Sequence, residues 1–156
     1  MRSRVAVQDP NQPLHQALAE FRRQLRKFLL ASENAAFEAG MQPQQHQLLL
    51  AVAGAPAGRS PSIAYAADAL GLKHNSAVEL VDRCEREGLL ERAEDSEDRR
   101  RVCLRITSRG RKLLDRLSRV HLLELNSQGP QLIESLENVL RNQHRQRQRT
   151  DRKQLG

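Results

Sequence analysis

Apolar residues recur every three or four positions at Leu14, Leu18, Phe21, Leu25 and Phe28, and the small Ser32 and Ala35 continue the series. That spacing lays one apolar stripe along a long helix, which opens near Asn11 and Pro13 and closes at Gly40. Pro43 is placed to open a second helix around Leu48, Leu49, Leu50 and Val52. The run Gly54, Ala55, Pro56, Ala57, Gly58 that follows reads as loop. Ser62 is the predicted N-cap of a short helix over 63–70, and Gly71 supplies the left-handed residue that ends it. Another helix, from about Asn75 to Glu87, carries Ala77, Leu80, Val81 and Cys84 on one face and stops at Gly88.

The period then changes from helical to two. Val102, Leu104 and Ile106 alternate with Arg101, Cys103 and Arg105, as in a half-buried strand whose outer face holds the arginines and Cys103. Leu89, Leu90, Glu91 and Arg92 can pair with it, leaving 93–100 as a charged hairpin tip. A two-stranded hairpin is marginal alone, so it has to lean on the helices. Thr107 or Ser108 caps a further long helix with Leu113, Leu114, Leu117, Val120 and Leu125. Gly129-Pro130 is expected to break it, with Leu132, Ile133, Leu136, Val139 and Leu140 forming a last amphipathic helix. Residues 141–156, rich in Arg and Gln, read as a solvated helix extension or a disordered tail.

These elements predict a mainly α fold with a small β-hairpin wing: a winged helix-turn-helix flanked by N- and C-terminal helices. A single domain is expected over 1–156, with 12–40 and 108–142 as dimerisation helices, 43–107 as the winged helix-turn-helix and 143–156 as a basic tail. The first and last helices each carry an apolar stripe too extensive for one small chain to cover, which makes a homodimer the expected state.

A short helix, a glycine turn and a second helix need small residues where the helices touch, and Ala67, Gly71 and Ala77 stand there. Ala66, Leu70, Leu72 and Leu80 supply the buried set, leaving Lys73, His74, Asn75, Ser76, Glu79 and Arg83 on the outward face. Polar groups at the start of such a helix are what reading base edges in a major groove requires. The net charge of +7 favours a polyanion. Much of that excess, however, lies in the tail at Arg141, Arg145, Arg147, Arg149, Arg152 and Lys153, while the second helix also carries Glu79, Asp82, Glu85 and Glu87. The order of motifs therefore argues for nucleic acid more directly than the charge does.

The run from Gly71, Leu72, Lys73, His74, Asn75, Ser76 and Ala77 through Glu85, Arg86, Glu87, Gly88 and Leu89 resembles the recognition-helix segment of the MarR family of bacterial regulators. Asp98 and Arg100, followed by a strand and then Ile106, Thr107 and Gly110, resemble that family's wing signature of Asp-x-Arg, strand and Leu-Thr-x-x-Gly, with Ile106 in place of the usual leucine. The stretch Gly40, Met41, Gln42, Pro43 is similar to the family's approach to its second helix, so the likeness spans about 12–140. Cys84 and Ala66 stand where the family usually has leucine. The resemblance implies a homodimer with intertwined first and last helices, presenting two winged modules to adjacent major grooves. It also implies repression of nearby genes and relief by small phenolic or other anionic ligands.

On this reading the chain is a sequence-specific regulator that binds double-stranded DNA, a ligand-responsive repressor acting as a homodimer; the alternative is a winged-helix module for protein or RNA. At the hairpin tip Arg100 is expected to enter a minor groove, oriented by Asp98 and flanked by Arg99 and Arg101. Arg83 reads as a phosphate contact, or else as a partner of Glu79 or Glu87. His46 and His121 lie near apolar faces, and His46 is the candidate for lining an effector pocket. No histidine spacing suggests a metal, and no cofactor is expected. The chain has no Gly-rich phosphate loop, nucleophile elbow or HExxH, so an enzyme is not expected. No apolar run approaches the roughly 18 residues that span a bilayer, and no secretory leader precedes Asn11; the expected location is the cytoplasm, without membrane contact. Cys84 and Cys103 are read as thiols that pack.

Overall fold

The computed structural model of the chain describes Asp9, residues 11–56, Gly58, residues 60–95 and residues 102–154. In order the elements are α1 (Gln12–Glu38), α2 (Pro43–Ala53), α3 (Ile63–Leu70), α4 (His74–Arg86), β1 (Leu90–Glu94), β2 (Val102–Ile106) and α5 (Ser108–Gln154). They fall into two compact units. One is Ser32–Leu122; the other joins α1 up to Ala31 with α5 from Leu123 onward. Among the described residues no helix is long and apolar enough to cross a membrane.

The Ser32–Leu122 unit holds the core. Met41, Leu48, Leu49, Leu80, Val81, Cys84, Leu90, Leu104 and Leu117 are buried together, drawn from the turn before α2, from α2, α4, the hairpin and α5. The expected punctuation is present: Pro43 opens α2, and the Ser62 hydroxyl accepts from the Tyr65 amide at 3.1 Å, satisfying a helix-start donor that α3 cannot pair internally. Cys84 is fully buried, and burial, reinforced by the Glu87 carboxylate, pushes its thiol up to about 12. At neutral pH it is a neutral packing group.

Three sequence expectations need correction. First, Gly129-Pro130 does not break the chain into two helices: α5 is one helix of 47 residues with Pro130 inside it. A proline removes one backbone hydrogen bond and crowds the carbonyl four residues back, which bends a helix more often than it ends one when both flanks favour helix. Here those flanks carry their own ties, with Gln128 Nε2 donating to Glu124 at 2.7 Å and Ser135 Oγ donating to the Leu132 carbonyl at 2.7 Å. Second, Cys103 does not share the outer face with Arg105. It is buried while Val102 is 53% exposed, and its Sγ lies 3.7 Å from the Glu94 carbonyl oxygen. Strict alternation fails because both Cys103 and Leu104 are buried. Third, the hairpin is longer than expected. The antiparallel register runs from Leu90 opposite Ile106 to Glu94 opposite Val102, so Ala93 and Glu94 belong to the strand rather than the tip.

The hairpin is anchored on two sides. The Leu104 amide donates to the Pro61 carbonyl at 2.7 Å, tying β2 to the segment before α3. At its base the Thr107 hydroxyl lies 2.6 Å from the Gly88 carbonyl and accepts from the Gly110 amide at 3.0 Å, joining the end of α4 to the first turn of α5. Gly110 makes this approach possible, since a β-carbon there would fall 2.0 Å from the Leu89 carbonyl oxygen.

Candidate nucleic-acid interface

The helix-turn-helix forms where expected. Ala67 and Ala77 are buried at the contact between α3 and α4, and Gly71 adopts φ 63°, a conformation that costs an L-side chain about 1 kcal/mol or more. The Leu72 amide then closes back on the Ala67 carbonyl at 2.8 Å, turning the chain sharply into α4. Leu70 and Leu72, placed in the buried set from sequence, are only partly buried; Ala66 and Leu80 are fully so.

This turn presents the sequence-predicted residues together. Lys73, His74, Asn75, Ser76 and Glu79 are all exposed at the N-terminal end of α4, and Arg83 is half-buried further along. α4 begins at Lys73 in an extended conformation without a side-chain cap, leaving its first amides directed outward beside Asn75 and Ser76. Free amides, an amide side chain and a hydroxyl at a helix start provide donors for phosphate and both donors and acceptors for base edges. Arg83 forms no ion pair among the described residues, so neither Glu79 nor Glu87 claims it. The wing residues Asp98, Arg99, Arg100 and Arg101 lie outside the described residues.

Sequence reasoning missed Arg92. On β1 its guanidinium spans two carboxylates of α4, meeting Asp82 at 2.6 Å and Glu85 through a second, very short contact, while its backbone amide donates to Glu85 at 3.2 Å. The pairing raises the guanidinium above its ordinary value, chiefly through the Asp82 hydrogen bond. Two acids three apart on one helix face, followed by a lone arginine in the next strand, were the available signal. The consequence is mechanical and electrostatic: the hairpin is clamped to α4, and two carboxylates of that helix are compensated.

His46 is 4% exposed on α2 and faces His121 of α5, with ring centroids 4.7 Å apart and planes tilted by 57°. Its Nε2 has no partner among the described residues. Burial first, and the neighbouring His121 second, push its pKa down to about 4.

Against known proteins, residues 39–101 match the profile of the MarR family. The matched stretch, less than half of the chain, holds the helix-turn-helix and β1 and resembles that family. No curated protein sequence matches the chain. Solved structures share the fold: a MarR family transcription regulator at 22% identity covers 94% of this chain and 96% of its own, with a TM-score of 0.64. CouR from Rhodococcus jostii, solved bound to p-coumaroyl-CoA, is 23% identical over 83% of this chain and 86% of its own, TM-score 0.59. CouR has also been solved on a 23-mer DNA duplex. BpsR of Bordetella bronchiseptica, whose DNA binding is regulated by 6-hydroxynicotinic acid, is 18% identical over 79% of this chain and 89% of its own, TM-score 0.57. In this fold Asn75 and Ser76 stand at the start of α4 and Arg92 on the first strand of the hairpin.

Two outcomes follow from this geometry. Arg92→Ala should lower stability by only about 1 kcal/mol, because its partners are partly solvated, and a double-mutant cycle with Glu85→Gln should show coupling. Additivity of the two substitutions in chemical denaturation would remove the clamp from the structure's account. For His46, a pKa depressed in the folded state means that the unfolded chain binds more protons between the ordinary value near 6.5 and about 4. Stability is therefore full above that window and declines as pH falls through it, by about 3 kcal/mol in total. His46→Leu should flatten that part of the pH–stability profile; an unchanged profile would assign the acid sensitivity elsewhere.

Proposed function

We propose that this chain is a MarR-type transcriptional repressor that binds duplex DNA sequence-specifically as a homodimer in the cytoplasm and releases it when a small molecule binds. No catalytic step is assigned to it. The observation that carries the reading is the exposed, uncapped start of α4, with Lys73, His74, Asn75, Ser76 and Glu79 displayed together beside a clamped wing. Asn75 and Ser76 read base edges, Lys73 and Arg83 meet phosphates, and Arg100, steadied by Asp98 and flanked by Arg99 and Arg101, enters the adjacent minor groove. The structural relatives support this assignment because one of them is solved on a DNA duplex.

Dimerisation is supported by what one chain leaves uncovered. On α1, Leu18, Leu25, Leu29 and Leu30 are 36–56% exposed, and on α5 Leu123, Leu125, Ile133, Leu136 and Leu140 are 40–71% exposed. Each set follows helical spacing, so the apolar surface forms stripes rather than scattered points. The helices spanning 12–40 and 108–142 are the dimerisation helices of this reading. Effector control draws support from the two relatives described with small organic ligands. His46 enters as a wall group, since its ring is packed against His121 and a ligand reaches it only where those helices part.

The DNA contacts are separable by their salt dependence. Arg100→Ala should weaken operator binding by about 1–3 kcal/mol and reduce the salt slope by roughly one counterion, whereas Asn75→Ala and Ser76→Ala should relax preference at particular base pairs with the slope nearly unchanged. If Arg100→Ala, shown to be folded by circular dichroism, binds its operator as tightly as the parent, the wing is not a DNA contact. For the dimer, light scattering of the full chain should give twice the 17.7 kDa protomer mass. Ile133→Glu together with Leu136→Glu should return it to the protomer mass, and a parent that already runs as a monomer would overturn the assignment.

A further inference from the structure

The chain's positive charge is concentrated away from α4. The Ser32–Leu122 unit carries fourteen Lys and Arg against thirteen Asp and Glu, a net of +1. The unit that joins Met1–Ala31 to Leu123–Gly156 carries twelve against six, a net of +6 out of the chain's +7. A unit with so small an excess exerts little long-range attraction on a polyanion, whereas the terminal helices exert a strong one.

Two stretches hold that excess. On α1, Arg22, Arg23, Arg26 and Lys27 fall within six residues and all are exposed. Arg23 is taken by Glu20, to which its Nε and Nη2 donate at 2.8 and 2.7 Å, and Gln24 donates to the same carboxylate at 2.7 Å. Among the described residues Arg22, Arg26 and Lys27 make neither hydrogen bond nor ion pair, so three cations stand uncompensated. Arg22 and Arg26 flank the apolar stripe of α1 and Lys27 lies across the helix from it. Long cationic side chains at the margin of an apolar contact reach past it into solvent. On α5 the helix continues to Gln154, and beyond Leu140 its sequence holds six cations against Asp151 alone. Arg141 there pairs with Glu137 at 3.4 Å, while Arg145 is exposed and unpaired among the described residues.

The chemistry of these stretches selects the polyanion. Residues one turn apart on a helix rise by about 6 Å, close to two of the roughly 3.4 Å phosphate steps along one strand of a duplex, which is the separation of Arg22 and Arg26. No aromatic residue in 141–156 is available to stack the bases of a single strand, and no apolar residue in 141–154 accompanies the cations as a membrane surface requires, apart from none at all on the Arg and Gln run. We propose that the terminal-helix unit is a second, sequence-independent contact for duplex DNA, in which Arg22, Arg26, Lys27 and the basic end of α5 hold the phosphate backbone while the start of α4 reads sequence. The two surfaces divide the work as phosphate and base contacts do, the first setting affinity and its salt dependence and the second setting preference.

The test is fluorescence anisotropy of a scrambled-sequence duplex titrated with the full chain over a salt series. Arg22→Gln, Arg26→Gln and Lys27→Gln together should reduce the slope of log K against log salt by about 2–3 and weaken binding at low salt about tenfold or more. Glutamine sustains a helix as well as the residues it replaces, so circular dichroism should match the parent. A charge-matched control, Arg111→Gln, Arg116→Gln and Arg119→Gln at exposed positions of α5 in the other unit, should change the slope by less than about 1. If light scattering shows that the α1 variant has lost the parent's mass, Arg145→Gln with Arg149→Gln, beyond the last leucine of the α5 stripe, replaces it with an expected fall of about 2. An unchanged slope, an equal fall in the charge-matched control, or tighter binding of the parent to poly-uridine or to phosphatidylglycerol vesicles than to the duplex at the same salt would overturn the proposal. Preference for a duplex that the parent selects from a random pool over the scrambled one reports the start of α4 and should survive these substitutions. Its absence from the parent defeats the repressor reading alone, because the salt slopes decide the second surface independently.

Discussion

The structure turns on a backbone contact too close for any side chain. At Gly110 the first turn of α5 presses on the Leu89 carbonyl oxygen, which a β-carbon would meet at 2.0 Å. Thr107 fills the remaining polar demand there, with its hydroxyl serving the Gly88 carbonyl, the Leu89 carbonyl and the Gly110 amide. Three elements are fixed by this junction: the C-terminal end of the recognition helix, the root of the hairpin and the long α5. A buried carbonyl deprived of such partners costs about 1–3 kcal/mol, and a displaced α5 would also open the core at Leu114 and Leu117. The angle at which α4 leaves the rest of this unit is therefore set at its far end, away from Lys73, Asn75 and Ser76.

Electrostatics impose a second constraint. α4 carries Glu79, Asp82 and Glu85 against Arg83 and Arg86, an unpromising balance for a helix proposed to lie against phosphates. The difficulty is met by position. Asp82 and Glu85 are both held by Arg92, so two of the three carboxylates are compensated from the wing, while the polar start of the helix at Lys73, Asn75 and Ser76 stays unencumbered. Partly solvated pairs of this kind contribute little to stability. Their larger effect is to fix the hairpin relative to the helix and to remove repulsion that would otherwise work against association.

What could be read from the sequence was whatever depends on local chemistry. Ser62, Gly71 and Pro43 mark helix boundaries because capping, left-handed backbone and a missing amide act within a few residues. The outward residues of α4 followed from the 3.6-residue period and the two contact alanines. The readings that failed depended on partners distant in sequence. Cys103 was assigned to the outer face by alternation, yet the hairpin packs so that Cys103 and Leu104 are both buried, which period two cannot express. Pro130 looked like a terminator because its own propensity opposes helix, whereas the residues on both sides sustain it. The Arg92 clamp depended on β1 folding back along α4, a tertiary fact at which the spacing of Asp82 and Glu85 only hinted.

The two units differ in how complete they are. Ser32–Leu122 closes a core of its own and carries the exposed start of α4. The other unit is built from parts of only two helices and leaves long leucine and isoleucine side chains in solvent, at a cost near 25 cal/mol for each Å² of apolar surface that a partner could cover. A single helix of 13 residues with three acids would, in the proposed role, be a weak DNA ligand by itself. Linking two such heads makes the second contact intramolecular, which raises overall affinity by orders of magnitude without a new base contact. In the proposed dimer the same uncovered stripes would resolve both deficits: pairing them would bury the exposed apolar surface and supply a second head.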